Sequence, residues 1–162
     1  MIKEYEKTGV LSISDLLQVP SSEHLERGVA VIECVQRIPC NPCVTVCPFH
    51  AITMSDINDT PRIDYDKCTG CGRCVSVCPG LAIFIVKVKG DKAQVTLPYE
   101  FLPVPGVGEK VDVVDRAGIV RGEGLVKKVN RKDETSVVTV EVDALLAMEV
   151  RHIKVKRRIE RG

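Results

Sequence analysis

Cys68-Thr69-Gly70-Cys71-Gly72-Arg73-Cys74-Val75-Ser76-Val77-Cys78-Pro79 is the stretch from which the rest of the chain can be read. Its cysteines follow the spacing Cys-x2-Cys-x2-Cys-x3-Cys-Pro. That spacing lets three thiolates converge on one iron–sulfur cubane while the fourth, held just before proline, reaches a second cluster. A second copy lies upstream: residues 40–52 overlay residues 71–83 with eight of thirteen positions identical, and Thr45 against Ser76 is a conservative change.

The upstream copy is irregular at its start. The repeat places a leading cysteine at position 37, which is Arg37; the available thiol is Cys34, with five residues before Cys40 in place of two. A longer loop is sterically easy, because a cubane requires converging sulfurs and not one fixed path, and Pro39 and Pro42 stiffen it. The interleaved pattern assigns Cys34, Cys40, Cys43 and Cys78 to one cluster and Cys68, Cys71, Cys74 and Cys47 to the other, both read as [4Fe–4S]. A [3Fe–4S] cluster, or none, at the irregular copy stays open. Zinc sites also use Cys-x2-Cys pairs, but they do not account for the third cysteine, the closing Cys-Pro or the duplication.

Thiolate-ligated clusters add negative charge that the protein must offset. The turn Thr69-Gly70-Cys71-Gly72 is expected to do so, since glycines let backbone N–H groups point at sulfur. Eight cysteines serve two clusters, so His50, which follows Cys47-Pro48 and matches Leu81 in the other copy, reads as a packing or surface residue. His24 and His152 have no companions at metal-ligand spacing. Gly106-Val107-Gly108-Glu109 is not a phosphate loop, and neither GxGxxG nor a catalytic triad is present. No catalytic residue and no small-molecule substrate of the chain's own is expected.

The 162 residues are 44% hydrophobic, as a folded domain requires, but only 4% aromatic with no tryptophan, so a large aromatic core is not available. A net charge of +1 gives no reason to expect nucleic acid as a partner. The charged start Met1-Ile2-Lys3-Glu4 is unlike a signal peptide, and the longest apolar run is too short to span a membrane. A reducing, cytoplasmic location is therefore expected, in which clustered cysteines ligate metal and do not form disulfides.

All cysteines lie in the middle of the chain, which divides it into a docking or packing leader at 1–28, a two-cluster domain at 29–89, and a β-rich domain with a basic tail at 90–162. In the leader, Ser12 with Asp15 forms an acidic variant of the capping box, and residues 20–28 read as a short helix closed by Gly28. Residues 29–32 read as a buried strand leading into Cys34. Strands are predicted at 81–89, 93–97, 110–115, 118–128, 136–142 and 150–156, with turns at 89–91 and 130–133. Pro98, Pro103, Pro105, Gly106 and Gly108 mark an extended segment excluded from a central strand. The fold class is α+β: a bicluster ferredoxin-like module, a helical leader, and a small antiparallel barrel or sandwich. The tail from Arg151 to Arg161 reads as a solvated terminus, or as a basic element that steers an acidic partner.

Residues 40–52 and 68–83 resemble bacterial-type two-[4Fe–4S] ferredoxins. Ile32-Glu33-Cys34-Val35-Gln36-Arg37-Ile38-Pro39-Cys40-Asn41-Pro42-Cys43, together with Leu97-Pro98-Tyr99-Glu100-Phe101-Leu102-Pro103, is similar to the small iron–sulfur subunits of FAD-dependent dehydrogenases of the proline, hydroxyproline or sarcosine-oxidase-like type. The resemblance implies a flavoprotein partner whose FAD takes two electrons from substrate, with the clusters passing them on singly. The expectation is an electron-transfer subunit. A free soluble ferredoxin is the first rival, and an iron–sulfur sensor or scaffold is the second.

Overall fold

In the computed structural model, which describes residues 1–156, the valine- and isoleucine-rich segments join one antiparallel sheet. Its strands are β1 (Val29–Ile32), β4 (Ile83–Lys89), β5 (Lys92–Tyr99), β6 (Lys110–Asp115), β7 (Val120–Lys132), β8 (Thr135–Asp143) and β9 (Val150–Val155). Their order is β1-β4-β5-β8-β7-β6-β9. A short separate ribbon pairs β2 (Ile52–Thr53) with β3 (Arg62–Ile63). The helices are brief: α1 (Glu4–Thr8), α2 (Ser22–Arg27), α3 (Pro42–Val46) and α4 (Arg73–Val77). None is long and apolar enough to cross a membrane.

The expected α+β class holds at this level, with one correction. The sheet is neither a closed barrel nor a sandwich: β1 and β9 are its edges and do not pair with each other. It curls enough for Tyr99 of β5 to stack on His152 of β9, with ring centroids 5.6 Å apart. The sheet also runs straight through residue 89, because β4 turns into β5 at Gly90 and Asp91, with Gly90 at φ 63°. The cysteine module and the C-terminal strands therefore share one sheet.

Strand bounds follow the β-branched pattern, with two differences. β5 continues through Pro98, which pairs with Val137; β4 has already ended its pairing at Thr96, so Pro98 has a strand on one side only and its missing N–H is tolerated. β7 runs on to Lys132, so the turn falls at 133–134 with Asp133 at φ 51°. In the leader, the Ser12–Asp15 capping box forms, but it nucleates only a 3-10 turn at Ile13–Asp15 before Leu16 packs into the core. α2 is capped by Ser21 and closed by Gly28, as expected. α1, ending at Gly9, buries no residue, and no apolar periodicity announced it. Of the basic tail, residues 157–161 lie outside the described residues.

Alternation along the strands gives the sheet two apolar faces. Val31, Phe84, Val86, Val95, Leu97, Val138 and Val140 point into the curl, with Val111, Val113 and Ile153 closing it. Ala30, Ile32, Ile83, Ile85 and Val137 point the other way, toward the cysteine loops. Burying each such valine or isoleucine side chain stabilises by roughly 1.5–3 kcal/mol.

One charged cluster sits inside the curl. Glu33 follows β1 and hydrogen-bonds its N–H to Ala82 O at 2.8 Å, which extends the β1–β4 pairing. Its buried carboxylate accepts from Arg116 Nε on one oxygen and from Arg151 Nε, at 2.8 Å, on the other. Arg151 is the extra residue of a bulge: Val114 pairs with His152 and Asp115 with Val150. It also donates to the Ala147 and Val150 carbonyls and lies 5.1 Å from the Phe84 ring centre. Burial lowers its pKa to about 10, against the opposing pull of Glu33, so it stays charged near neutrality.

Two outcomes are expected. Glu33→Gln leaves two buried guanidinium groups without their counter-ion and should cost roughly 3–5 kcal/mol in urea unfolding, whereas the exposed Glu23→Gln should change stability by less than about 0.5 kcal/mol. The second concerns His152, which burial, with Lys154 adding to it, holds below the ordinary 6.5. The unfolded chain then takes up the proton first, so the stability this site contributes is present above about pH 6.5 and lost as pH falls toward the folded value. His152→Phe, which keeps a ring against Tyr99 and Phe101, should flatten that part of the melting temperature against pH between about 7.5 and 5.

Candidate metal centre

The duplication seen in the sequence is a duplication of backbone. α3 and α4 occupy matching positions in the two copies, and each ends at the cysteine before proline. His50 N–H returns to Cys47 O at 3.3 Å and Leu81 N–H to Cys78 O at 3.2 Å. His50 and Leu81 both take the left-handed conformation, at φ 52° and 53°. β2 pairs with β3 as β4 pairs with β1: Ile52 faces Ile63, and Ile83 faces Ile32. His50 itself is exposed, in a turn role. His24 closes a capping box with Ser21 and lies 3.5 Å from Asp66.

Each pairing delivers its cysteines to a void on the outer side of β1 and β4. Cys34, Cys40, Cys43 and Cys78 line one cavity, walled by Ile38, Pro42, Pro61 and Ile83. Cys47, Cys68, Cys71 and Cys74 line the other, walled by Ala30, Ala51, Ile52 and Ile85. The fourth cysteine of each copy thus stands in the other copy's ring. All eight are free thiols; Cys43 and Cys74 are buried and Cys71 is exposed.

The electrostatics divide along the same lines. Burial pushes the Cys43 thiol up to about 11, with Cys78, Cys34 and Cys40 repelling its charge. Burial pushes Cys74 up to about 12, with Cys68, Cys71 and Cys47 as the repelling neighbours. Cys34 is raised by burial and then by Cys78. Four thiolates crowded in a partly buried ring need a cationic core, and loading one would release protons.

The donor set therefore fits a polynuclear group. Among the described residues, no three Cys, His, Asp or Glu side chains close on a point as a single ion needs, with zinc about 2.3 Å from each sulfur. The thiols surround a void in each case, as the ligands of a cubane would.

Backbone N–H groups do reach sulfur, but from positions the sequence did not single out. Ala30 N–H donates to Cys68 Sγ at 3.3 Å, and Ala82 N–H to Cys78 Sγ at 3.4 Å. The glycines of the 69–72 turn act by close approach instead. Gly70 is at φ +71°, and a Cβ there would lie 2.7 Å from the Gly28 carbonyl oxygen. Gly72, at φ +79°, starts α4. Tyr65, whose hydroxyl is buried with no hydrogen-bond partner among the described residues, packs its ring 4.9 Å from His24.

Residues 33–82, which contain all eight cysteines, match the family model of the 4Fe-4S dicluster domain. No curated protein and no solved structure matches the chain. The matched segment is a ferredoxin-type iron–sulfur domain of the kind that transfers electrons.

Gly70→Ala should strain the turn that carries Cys71 and lower the melting temperature, since neither its φ nor the Gly28 backbone leaves room for a methyl group. Gly80→Ala is the control: nothing lies within 4 Å of its added Cβ, and its melting temperature should match the parent.

Proposed function

We propose that the protein relays electrons through two [4Fe–4S] clusters, one held by Cys34, Cys40, Cys43 and Cys78 and the other by Cys68, Cys71, Cys74 and Cys47. The single observation that carries this reading is the pair of four-thiol rings, each completed by a cysteine from the other copy. A bound [4Fe–4S] cluster supplies a one-electron couple whose potential depends on hydrogen bonds to its sulfurs and on solvent access.

The remaining roles belong to the chain. The β1–β4 and β2–β3 pairings hold both rings on one face of the sheet. Ala30 and Ala82 orient an N–H at a sulfur in each ring and stabilise the thiolate there. Ile32, Ile83 and Ile85 exclude water from the inner side. Among the described residues, no constellation of nucleophile, base and oxyanion donors accompanies them, and the chain would carry charge for another subunit's chemistry.

That subunit, in this reading, is a flavoprotein dehydrogenase in a reducing compartment, with FAD confined to it. Two features support a partner. The leader and the strands after residue 89 go beyond what two clusters require. Exposed Ile38, Phe49 and Ile57 flank the rings, and exposed Phe101 and Leu102 follow β5, apolar side chains of the type that desolvate at an interface.

Iron and sulfide analysis with EPR on anaerobically purified protein tests the reading. About eight iron and eight sulfide per chain, with a spin-coupled signal after dithionite, is the expected result. Cys34→Ser and Cys71→Ser should each reduce iron toward about four and abolish the coupling. About four iron in the parent, or a signal already present when oxidised, would remove the two-cluster relay. A monomer that exchanges no electrons with any flavoprotein of the source extract would remove the subunit part.

A further inference from the structure

The cysteine loops cover only part of the sheet's outer face. Past α4, that face continues over β4, β5, β8 and β7, where Ile85, Thr96, Thr139 and Lys128 form one cross-strand row. Two merging cavities of about 290 and 460 Å³ lie along it and share Gly70, Ile85, Thr96, Lys128 and Thr139. Crossing four strands gives the groove a length of about 14 Å, which suits about four residues of extended chain.

Its walls are cationic. Arg27, Arg73, Lys87, Lys127 and Lys128 line it, the other lining residues are uncharged, and no Asp or Glu is among them. Among the described residues, Arg27 has Asp66 at 3.4 Å, while no carboxylate comes within 4.0 Å of the other four. The chain's net charge is only +1, so this is a local concentration and not a general excess.

The backbone is arranged to produce it. In β7, Val126 pairs with Val140 and Lys128 with Thr139, which makes Lys127 the extra residue of a bulge. Strict alternation would turn one of two adjacent lysines into the apolar curl beside Val126 and Val129; the bulge keeps both in the groove. The end of the groove is the turn 70–72, which carries the exposed Cys71 of the second thiol ring.

We propose that this groove receives an acidic, extended segment of the electron-exchange partner, and that electrons cross between partner and protein beside Cys71. The role rests on the cluster reading, whereas the docking does not. The complementary charge would steer encounter and make it salt-dependent.

The test uses the whole holoprotein and a fluorescently labelled glutamate-rich decapeptide at low salt. Anisotropy should show binding that weakens as salt rises. The triple variant Lys87→Glu, Lys127→Glu, Lys128→Glu should lose at least tenfold in affinity. Lys3→Glu, Lys7→Glu, Lys154→Glu changes net charge equally, away from the groove, and should keep most of it. Equal affinity in all three proteins, or equal loss in both triples, overturns the docking site. Tighter binding of inorganic phosphate or of single-stranded DNA overturns the choice of occupant.

A second readout addresses the electron path. Dithionite-reduced protein gives one electron to hexacyanoferrate(III), which becomes hexacyanoferrate(II), or one to hexaamminecobalt(III). The groove triple should slow the anionic oxidant several-fold and speed the cationic one; rates unmoved by the triple overturn exchange beside Cys71. Iron is measured first in each preparation. Iron absent with the peptide still bound would sink the cluster reading and leave the docking site standing.

Discussion

The pairing of β1 with β4, from Val29 against Val86 to Ile32 against Ile83, is what the rest of the structure depends on. Cys34 follows β1 by two residues, and Cys78 precedes β4 by five. Antiparallel register at that end of the ladder therefore brings together thiols that are 44 residues apart in the chain. The same construction, reduced to two residues per strand, joins β2 to β3 and brings Cys47 to Cys68. Neither ring closes locally, because each needs a cysteine delivered by the other copy. A short ribbon with little hydrogen bonding of its own is held by Ile52 and Ile63 in the shared core, and its ends lead to Cys47 and Cys68.

β1 then separates two environments by alternation alone. Ile32 and Cys34 look outward toward the rings, and Val31 and Glu33 look into the curl. One residue's displacement along the strand moves the chain from thiol chemistry to the buried Arg116–Glu33–Arg151 cluster. Two cations on one carboxylate inside an apolar core would be expensive unless geometry were close to ideal. Here each guanidinium takes a separate carboxylate oxygen and Arg151 finds two carbonyls besides, while Arg116 Nη2 is buried with no hydrogen-bond partner among the described residues. The cluster ties the start of the cysteine module to β9 and to the turn after β6, which are the far end of the sheet. A cysteine-free half of the chain is thereby anchored to the residue next to Cys34.

Much of this was legible from residue order. The cysteine spacing marked a two-cluster module, since Cys-x2-Cys-x2-Cys-x3-Cys-Pro in the downstream copy leaves few alternatives, and Val-rich runs located β4 to β9 within a few residues. What was not legible depended on tertiary context. α1 has no apolar stripe to reveal it, and the donors to sulfur are Ala30 and Ala82, whose type carries no chemical mark. Glu33 reads as an ordinary charged residue until Arg116 and Arg151, 83 and 118 positions away, are brought to it. Pro98 misleads because proline's cost depends on whether a second strand lies alongside, and one sequence does not reveal where β4 stops.

The two bulges show where a finer sequence reading was possible. In Leu125-Val126-Lys127-Lys128-Val129-Asn130, alternation is broken by a doubled lysine, and it resumes with Val129 packed against the core. A half-buried strand cannot bury a lysine without a partner, so a doubled polar residue between resumed valines is itself the mark of an inserted residue. Val150-Arg151-His152-Ile153 carries the mirror case: the extra residue turns inward, and it is admissible there only because Glu33 waits for it. One device therefore adds a cation to the interior where a buried carboxylate exists and keeps a cation outside where none does. What decides the direction is the availability of a counter-charge on each face, and among the described residues no carboxylate comes within 4.0 Å of Lys127 or Lys128 on the outer face of β7.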